Sequence, residues 1–416
     1  MEKMHAVPQL NKNVVLYFEM SHCAKLRFVG PDEKTIEFID QSATQNELKA
    51  ITSDVYVPVL DMIRKIIDRY TGVRIAFSSP GSTLQAVAHN SPAIIDSIRE
   101  LVNFKAIEWL GMPYNNSISL LYSDEAFREE VIRSNELLYE FFGVQPRVLL
   151  ASPVFAPSMM HQTSELGFDA LLLRPNIASG QTVLKDSSED IMVLVADSII
   201  SDAITYRFGA GEVTLTVCEL VAMVNRAPGD TVVIGIPMEA FRLHHGSNIL
   251  RFFEEFISLA ASHDRLALPS EAVREMSAHD FSDPRQLIEL SMTKSHLLTN
   301  DLQKEAFAAA KELDDATRDL VDNSARHALM QLLNAEYYSS MSHSCANLSG
   351  PYLSPQEVFG IYMSALQSLS RVVSASAVKE NETAAKSVEA MRQHPSTPTW
   401  ALNEQSRYQE NTHSSI

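Results

Sequence analysis

Cysteine is nearly absent: Cys23, Cys218 and Cys345 are the only three in 416 residues, far apart and odd in number. A disulfide framework and a paired-cysteine zinc site are excluded on that count, and a reducing cytoplasm is the default compartment. Glycine is also scarce, at 14 residues. The best phosphate-cradle candidate, Ser79 to Ser82 around Gly81, lacks the lysine and glycine spacing of a P-loop and reads as a turn after a strand. No apolar run approaches the roughly 18 residues that cross a bilayer, and the opening MEKMHAVPQLNKN lacks the regions of a secretory signal. Basic residues are in the minority: 34 Lys and Arg against 52 Asp and Glu give a formal charge of −18. Nucleic acid and anionic membrane surfaces are repelled on average by such a chain, whereas neutral ligands such as sugars are not. No motif calls for a cofactor.

What is present is enough apolar residue, 45% of the chain, for a barrel-sized domain plus a helical one. Seven short apolar runs recur, at Val14–Met20, Val73–Phe77, Ala106–Leu110, Arg147–Ala151, Phe168–Leu173, Ile191–Ala196 and Thr231–Ile236. Their apolarity is nearly continuous, as strands buried on both faces require, and helical patterns separate most of them, which predicts a parallel, helix-wrapped barrel. Leu60, Ile63, Ile66 and Ile67 form one helical stripe. Ser91 and Pro92 open the next helix, with Ile94, Ile95, Ile98 and Leu101 facing inward. A long helix from Ser123 to Phe142 ends at Gly143. After about Ser270 strand-like runs disappear, and Ser354, Pro355 and Glu357 form a capping box for a late helix. From Lys379 the chain turns polar and predicts a mobile tail over 379–416.

Eight segments, quoted from the sequence, carry a resemblance. VVLYFEMSHCAKL (14–26) is similar to YFQVHQPYRL: Tyr17, Phe18 and Leu26 agree, Ser21 stands at the histidine and Cys23 at the proline, although a slip of one residue puts His22 on that histidine. IAFSSPGSTLQ (75–85) resembles a second strand and its turn. IEWLGMPYNNSI (107–118) resembles VEFLAETYYHSL, with Glu108, Leu110, Tyr114 and Ser117 agreeing, Met112 at a glutamate and Asn116 at a histidine. RVLLASPVFAP (147–157) overlies FRNTELIY with Pro153 at its glutamate. VVIGIPMEAFRLHH (232–245) overlies FMDYETFGEH with Pro237 at its aspartate and Glu239, Phe241 and His244 retained. IISDAITYRFG (199–209) is close to LSDDIAFRFS, keeping Ser201, Asp202, Ile204, Arg207 and Phe208. LTNDLQKEAF (298–307) and LSPQEVFGIYMSAL (353–366) resemble LGNDMQKDAF and YSPYEAFINYMNIL. The family so resembled is glycoside hydrolase family 57, in its α-amylase-like branch, from Val14 to about Val372.

The resemblance implies an α/β fold: an incomplete parallel seven-stranded (β/α) barrel over 1–275, then an all-helical domain over 276–378 packed on it. It also implies that the nucleophile position is Pro153 and the general-acid position Pro237. A retaining glycosidase needs two carboxyl groups about 5 Å apart, and proline has neither a titratable group nor a backbone donor. The chain therefore reads as a catalytically impaired homologue.

Five retained residues are candidates at the barrel ends: Glu108, Asp202, Arg207, Glu239 and His244. Glu239 follows Pro237 by two residues and, on a continuing strand, points to the same face about 6 to 7 Å further on. An ion pair or a loop-fixing hydrogen bond accounts for Asp202 and Arg207. Glu19 is a further barrel-end carboxylate with no identifiable partner. His244 and His245 point apart and have no ligand at metal-binding spacing, so no metal site is assigned. Cys23 reads as a small buried hydrophobe. Trp109 and Tyr114 offer flat rings to sugars, and Asn115, Asn116 and Ser117 offer hydrogen bonds; the competing reading buries Trp109 between strand and helix and folds the asparagines into a turn. Three functions remain open: a non-catalytic α-glucan- or malto-oligosaccharide-associated or regulatory protein; an interaction protein whose barrel mouth is plugged by Met112, Phe155 and Met238; and a hydrolase or glucanotransferase with relocated carboxylates.

Overall fold

The computed structural model describes residues 9–151, 154–174, 183–186, 191–208, 215–243, 248–275, 279–281, 297–318, 320–342 and 354–393. All seven expected strands are present: β1 (Asn13–Glu19), β2 (Ile75–Ser78), β3 (Ile107–Trp109), β4 (Val148–Ala151), β5 (Ala170–Leu173), β7 (Ile191–Val195) and β8 (Thr231–Pro237). Two short strands that the sequence does not announce, β6 (Val183–Asp186) and β9 (His279–Phe281), extend one edge. β6 runs antiparallel to β7 and parallel to β9. Parallel ladders join β3, β2, β1 and β8 in one arc and β4, β5 and β7 in the other. Single bridges, Gly111 to Leu149 and Ala196 to Val233, link the arcs into a seven-stranded parallel ring.

Strand alternation sorts the side chains. Val15, Tyr17, Ala76, Leu110, Val148, Leu150, Leu172, Leu194 and Val233 fill the interior. Phe18, Phe77, Trp109 and Ile234 point outward to the helices. In the helix Val57–Ile67, Leu60, Ile63 and Ile66 are buried and Ile67 partly so. The helix Pro92–Asn103 buries Ile94, Ile95, Ile98 and Leu101, although the Ser91 side chain makes no capping bond. In the helix Asp124–Phe142, Ser123 Oγ accepts from the Ala126 N–H and Gly143 closes the end at φ 69°.

The C-terminal helices Asp301–Arg318, Ser324–Leu332, Ala335–Ser340 and Pro355–Gln393 share one core with the loop after β1: Cys23, Leu26, Val29 and Phe38 pack with Leu329, Tyr338 and Tyr362. Ser354 Oγ accepts from the Glu357 N–H, as its capping position predicts. The last helix continues to Gln393, so the polar stretch after Lys379 begins as helix; residues 394–416 lie outside the described set. No helix among the described residues is long and apolar enough to cross a membrane.

Candidate functional site at the barrel mouth

The C-terminal strand ends bring Glu19, Ser78 and Pro237 side by side, since Glu19 pairs in register with both of the others. Pro237 has no N–H to give, and the ladder passes over it: the Met238 N–H donates to the Glu19 carbonyl at 2.8 Å. The chain then turns at once into the helix Glu239–Leu243. This corrects the expectation for Glu239, which belongs to a first helical turn and not to a continuing strand.

Three carboxyls converge at this rim, and each is committed to the protein. Glu19 is 7% exposed and meets Arg174 at 3.3 Å, a partner the sequence did not reveal. Glu239 Oε1 accepts from the Ser21 N–H at 3.3 Å. Glu336, from the helix Ala335–Ser340, accepts from Ser21 Oγ at 2.5 Å. The Ser21 carbonyl accepts from Tyr56 Oη at 3.1 Å. Ser21 thus uses all its polar groups to tie the first loop, the end of β8 and the C-terminal helices together. Burial raises the pKa of all three carboxyls. For Glu239 the charges of Glu336 and Glu19 add to it, while Arg174 opposes it at Glu19. Glu336 gave no sequence signal, because its partner lies 315 positions away.

Glu108 is at the other end of the barrel. Its Oε2 accepts from the Ser270 N–H and Oγ at 3.1 and 2.9 Å, capping the helix Pro269–Glu275 below the strands' N-terminal ends. Burial lifts its pKa to about 6 against those bonds. Trp109 is corrected as a sugar contact: it is 2% exposed and stacks on Phe142 at 5.1 Å and 8°. Asn116 and Ser117 are corrected likewise, being buried in the joint to the C-terminal helices. Asn116 has φ 53° and its carbonyl accepts from the Ala335 N–H, and Ser117 bridges Asn334. Asp202 is exposed at the end of the helix Ser198–Asp202, where its charge acts on Arg174. Arg207 ends a π-helical turn, Ala203–Arg207. Pro153 and His244 lie outside the described residues, as does Cys345; Cys23 is a buried free thiol, as expected. Met112, Phe155 and Met238 are buried, but Met238 and Phe155 pack outside the barrel; Tyr17 fills its interior.

Beside the rim, across the Ser21–Ala24 loop, a cleft of about 490 Å³ opens between that loop, the helix Gly81–Asn90, the 114–115 loop and the helix Ser324–Leu332. Its described lining contains four glutamines, three asparagines, three histidines and two tyrosines, and no carboxylate. Among the described residues, the carboxamides of Gln41, Gln45 and Gln331 have no protein partner, so they are open to a ligand. His22 lines it with a pKa that burial lowers to about 4, hence as neutral imidazole. Tyr114 reaches it by its hydroxyl edge, which donates to Gln85 Oε1. One face of its ring lies under the Arg133 guanidinium, 3.7 Å from the ring centroid. Its edge abuts Gly81, where a Cβ would stand 2.3 Å from Cδ2. Tyr114 therefore offers a hydroxyl and not a stacking face.

Residues 20–291 match the model of glycosyl hydrolase family 57. No curated protein matches the chain. Among solved structures it is similar to the 4-α-glucanotransferase of Thermococcus litoralis, with TM-score 0.62 and 11% identity over 86% of this chain and 60% of that one. The chain thus spans less than two thirds of that enzyme. It is also similar to a family 57-type branching enzyme of Pyrococcus horikoshii, with TM-score 0.60 and 11% identity over 86% and 88% of the two chains. An α-amylase of Thermotoga maritima gives 0.57 and 10% over 87% and 93%. At these identities the likeness is one of fold.

Proposed function

The chain belongs to glycosyl hydrolase family 57, and on that premise we propose that it is a catalytically impaired member that holds an α-glucan without cleaving it. The observation that carries this reading is the pairing of an occupied rim with an open cleft whose described lining has no carboxylate. Glu19, Glu239 and Glu336 are buried and bonded to Arg174 and Ser21, and β8 ends in Pro237. An oxocarbenium-like transition state needs one carboxylate poised to attack and one carboxylic acid poised to protonate, both facing substrate. That Glu19, Glu239 and Glu336 each spend an oxygen on a protein partner supports a structural role for them over that of such a pair. The cleft, by contrast, presents the uncharged donors and acceptors that recognise sugar hydroxyls.

Calorimetric titration with maltoheptaose, followed by analysis of the sugar, tests the reading. Saturable heat with intact sugar is expected, and Gln331→Ala is expected to weaken binding about 3- to 10-fold, the worth of one or two hydrogen bonds. Shortened or redistributed oligomers that vanish in Glu239→Gln would establish relocated catalysis instead. Neither heat nor cleavage would leave an interaction protein as the function.

A further inference from the structure

We infer that the Arg133 and His327 side of the cleft is an anion subsite, so that the saccharide held there carries a phosphate. This rests on the reading of the cleft as a sugar site and adds the class of ligand. Arg133 lies exposed on the helix Asp124–Phe142 with its guanidinium set 3.7 Å over the Tyr114 ring, and among the described residues it has no ion-pair partner. The carboxylates one turn earlier on that helix are engaged elsewhere. Glu129 pairs with Arg326 at 2.7 Å, and Glu130 turns inward to the Asn115 N–H and Nδ2 at 2.9 and 2.6 Å.

The electrostatics are unusual for this chain. It carries 52 acidic residues and a charge of −18, yet the described lining of its cleft has one arginine, three histidines and no carboxylate. A guanidinium already oriented by a ring, and with no carboxylate paired to it among the described residues, matches a phosphate or phosphomonoester. The imidazole of His327 supplies a second nitrogen from the facing helix. Burial and the neighbouring charges of Arg133 and Arg326 lower its pKa, while Glu129 and Asp322 act the other way. A dianion bound beside it would reverse the net effect, and His327 would take up a proton on binding. The free carboxamides of Gln41, Gln45 and Gln331 remain for the sugar hydroxyls.

The full chain is titrated calorimetrically at pH 7 with glucose, α-glucose 1-phosphate, inorganic phosphate and maltoheptaose, each in two buffers of different ionisation enthalpy. Glucose 1-phosphate is expected to bind at least about tenfold more tightly than glucose, as a charge-assisted hydrogen bond provides. It should do so with proton uptake that disappears in His327→Gln. Arg133→Gln should remove the preference and Arg133→Lys should keep part of it. Phosphate alone binding as tightly as glucose 1-phosphate would overturn the phosphosugar assignment in favour of a simple anion site. Maltoheptaose binding with no preference for glucose 1-phosphate over glucose would overturn the anion subsite and leave the glucan reading standing. Tight glucose 1-phosphate binding without maltoheptaose binding would support the subsite and sink the glucan reading.

Discussion

The melting temperature at pH 5.5 is expected to exceed that at pH 8. Five buried carboxyls, Glu19, Glu108, Glu130, Glu239 and Glu336, have pKa values raised by burial, Glu108 to about 6 and Glu130 to about 7. A carboxyl raised in the folded state binds its proton more tightly there than in the unfolded chain. Its stabilising contribution is therefore complete below the unfolded value and is lost as pH rises through the folded one. For Glu130 that window runs from 4.5 to about 7, and at about 1.4 kcal/mol per pH unit it is worth on the order of 3 kcal/mol. His22 acts in the opposite sense. Its folded pKa is lowered from 6.5 to about 4, so its contribution is present above 6.5 and is lost as pH falls towards 4. His327, whose pKa is also lowered from 6.5, acts in the same sense as His22, so two imidazoles offset part of what five carboxyls contribute between 4.5 and 6.5, and above 6.5 the carboxyl trend remains. Calorimetric melts across pH 5 to 8 check the sign. Glu130→Gln should flatten the profile, while costing about 1 kcal/mol because one carbonyl oxygen replaces two acceptors facing Asn115. A melting temperature that climbs from pH 5.5 to 8 would contradict this account.

Replacing Gly235 by alanine is expected to destabilise the barrel by about 3 kcal/mol, or to prevent folding. A Cβ at Gly235 would stand 2.2 Å from both Cζ and Oη of Tyr17, and 2.6 Å from its Cε1. The ring is fully buried among Leu150, Leu172, Leu194 and Val233 and has no room to withdraw. β8 is also held in place by its ladder to β1 and by the Gly235 N–H, which donates to Ser201 Oγ at 3.2 Å. Urea unfolding of a double-mutant cycle separates the causes. Tyr17→Leu should recover part of the loss in the alanine background. Tyr17→Phe alone should be close to neutral, since Oη has no hydrogen-bond partner among the described residues. Strictly additive effects of Gly235→Ala and Tyr17→Leu would show that the two residues do not compete for the same space.

The seven barrel strands, the helices that cover them and the caps at Gly143 and Ser354 were determined by the sequence alone. The reason is physical: apolar runs, 3.6-residue stripes and capping residues act over a few neighbours, so their signals survive without the fold. The polar strands β6 and β9 were not legible, because Val183–Asp186 and His279–Phe281 become strands by pairing at an edge and not by apolar content. The direction of each side chain was decided by the tertiary structure. Side-chain chemistry suggested Trp109, Asn116 and Ser117 as sugar contacts, and packing buried all three. Glu108 appeared beside the rim residues in the motifs, and strand direction sent it to the opposite end to cap a helix. Glu19 found Arg174 at 155 residues' remove, and Ser21 found Glu336 at 315. Such pairings leave no local trace, because each is fixed by ring closure and by the docking of the C-terminal helices. The cleft itself arises where those helices meet the first loop, so its lining is drawn from segments that no stretch of sequence places together.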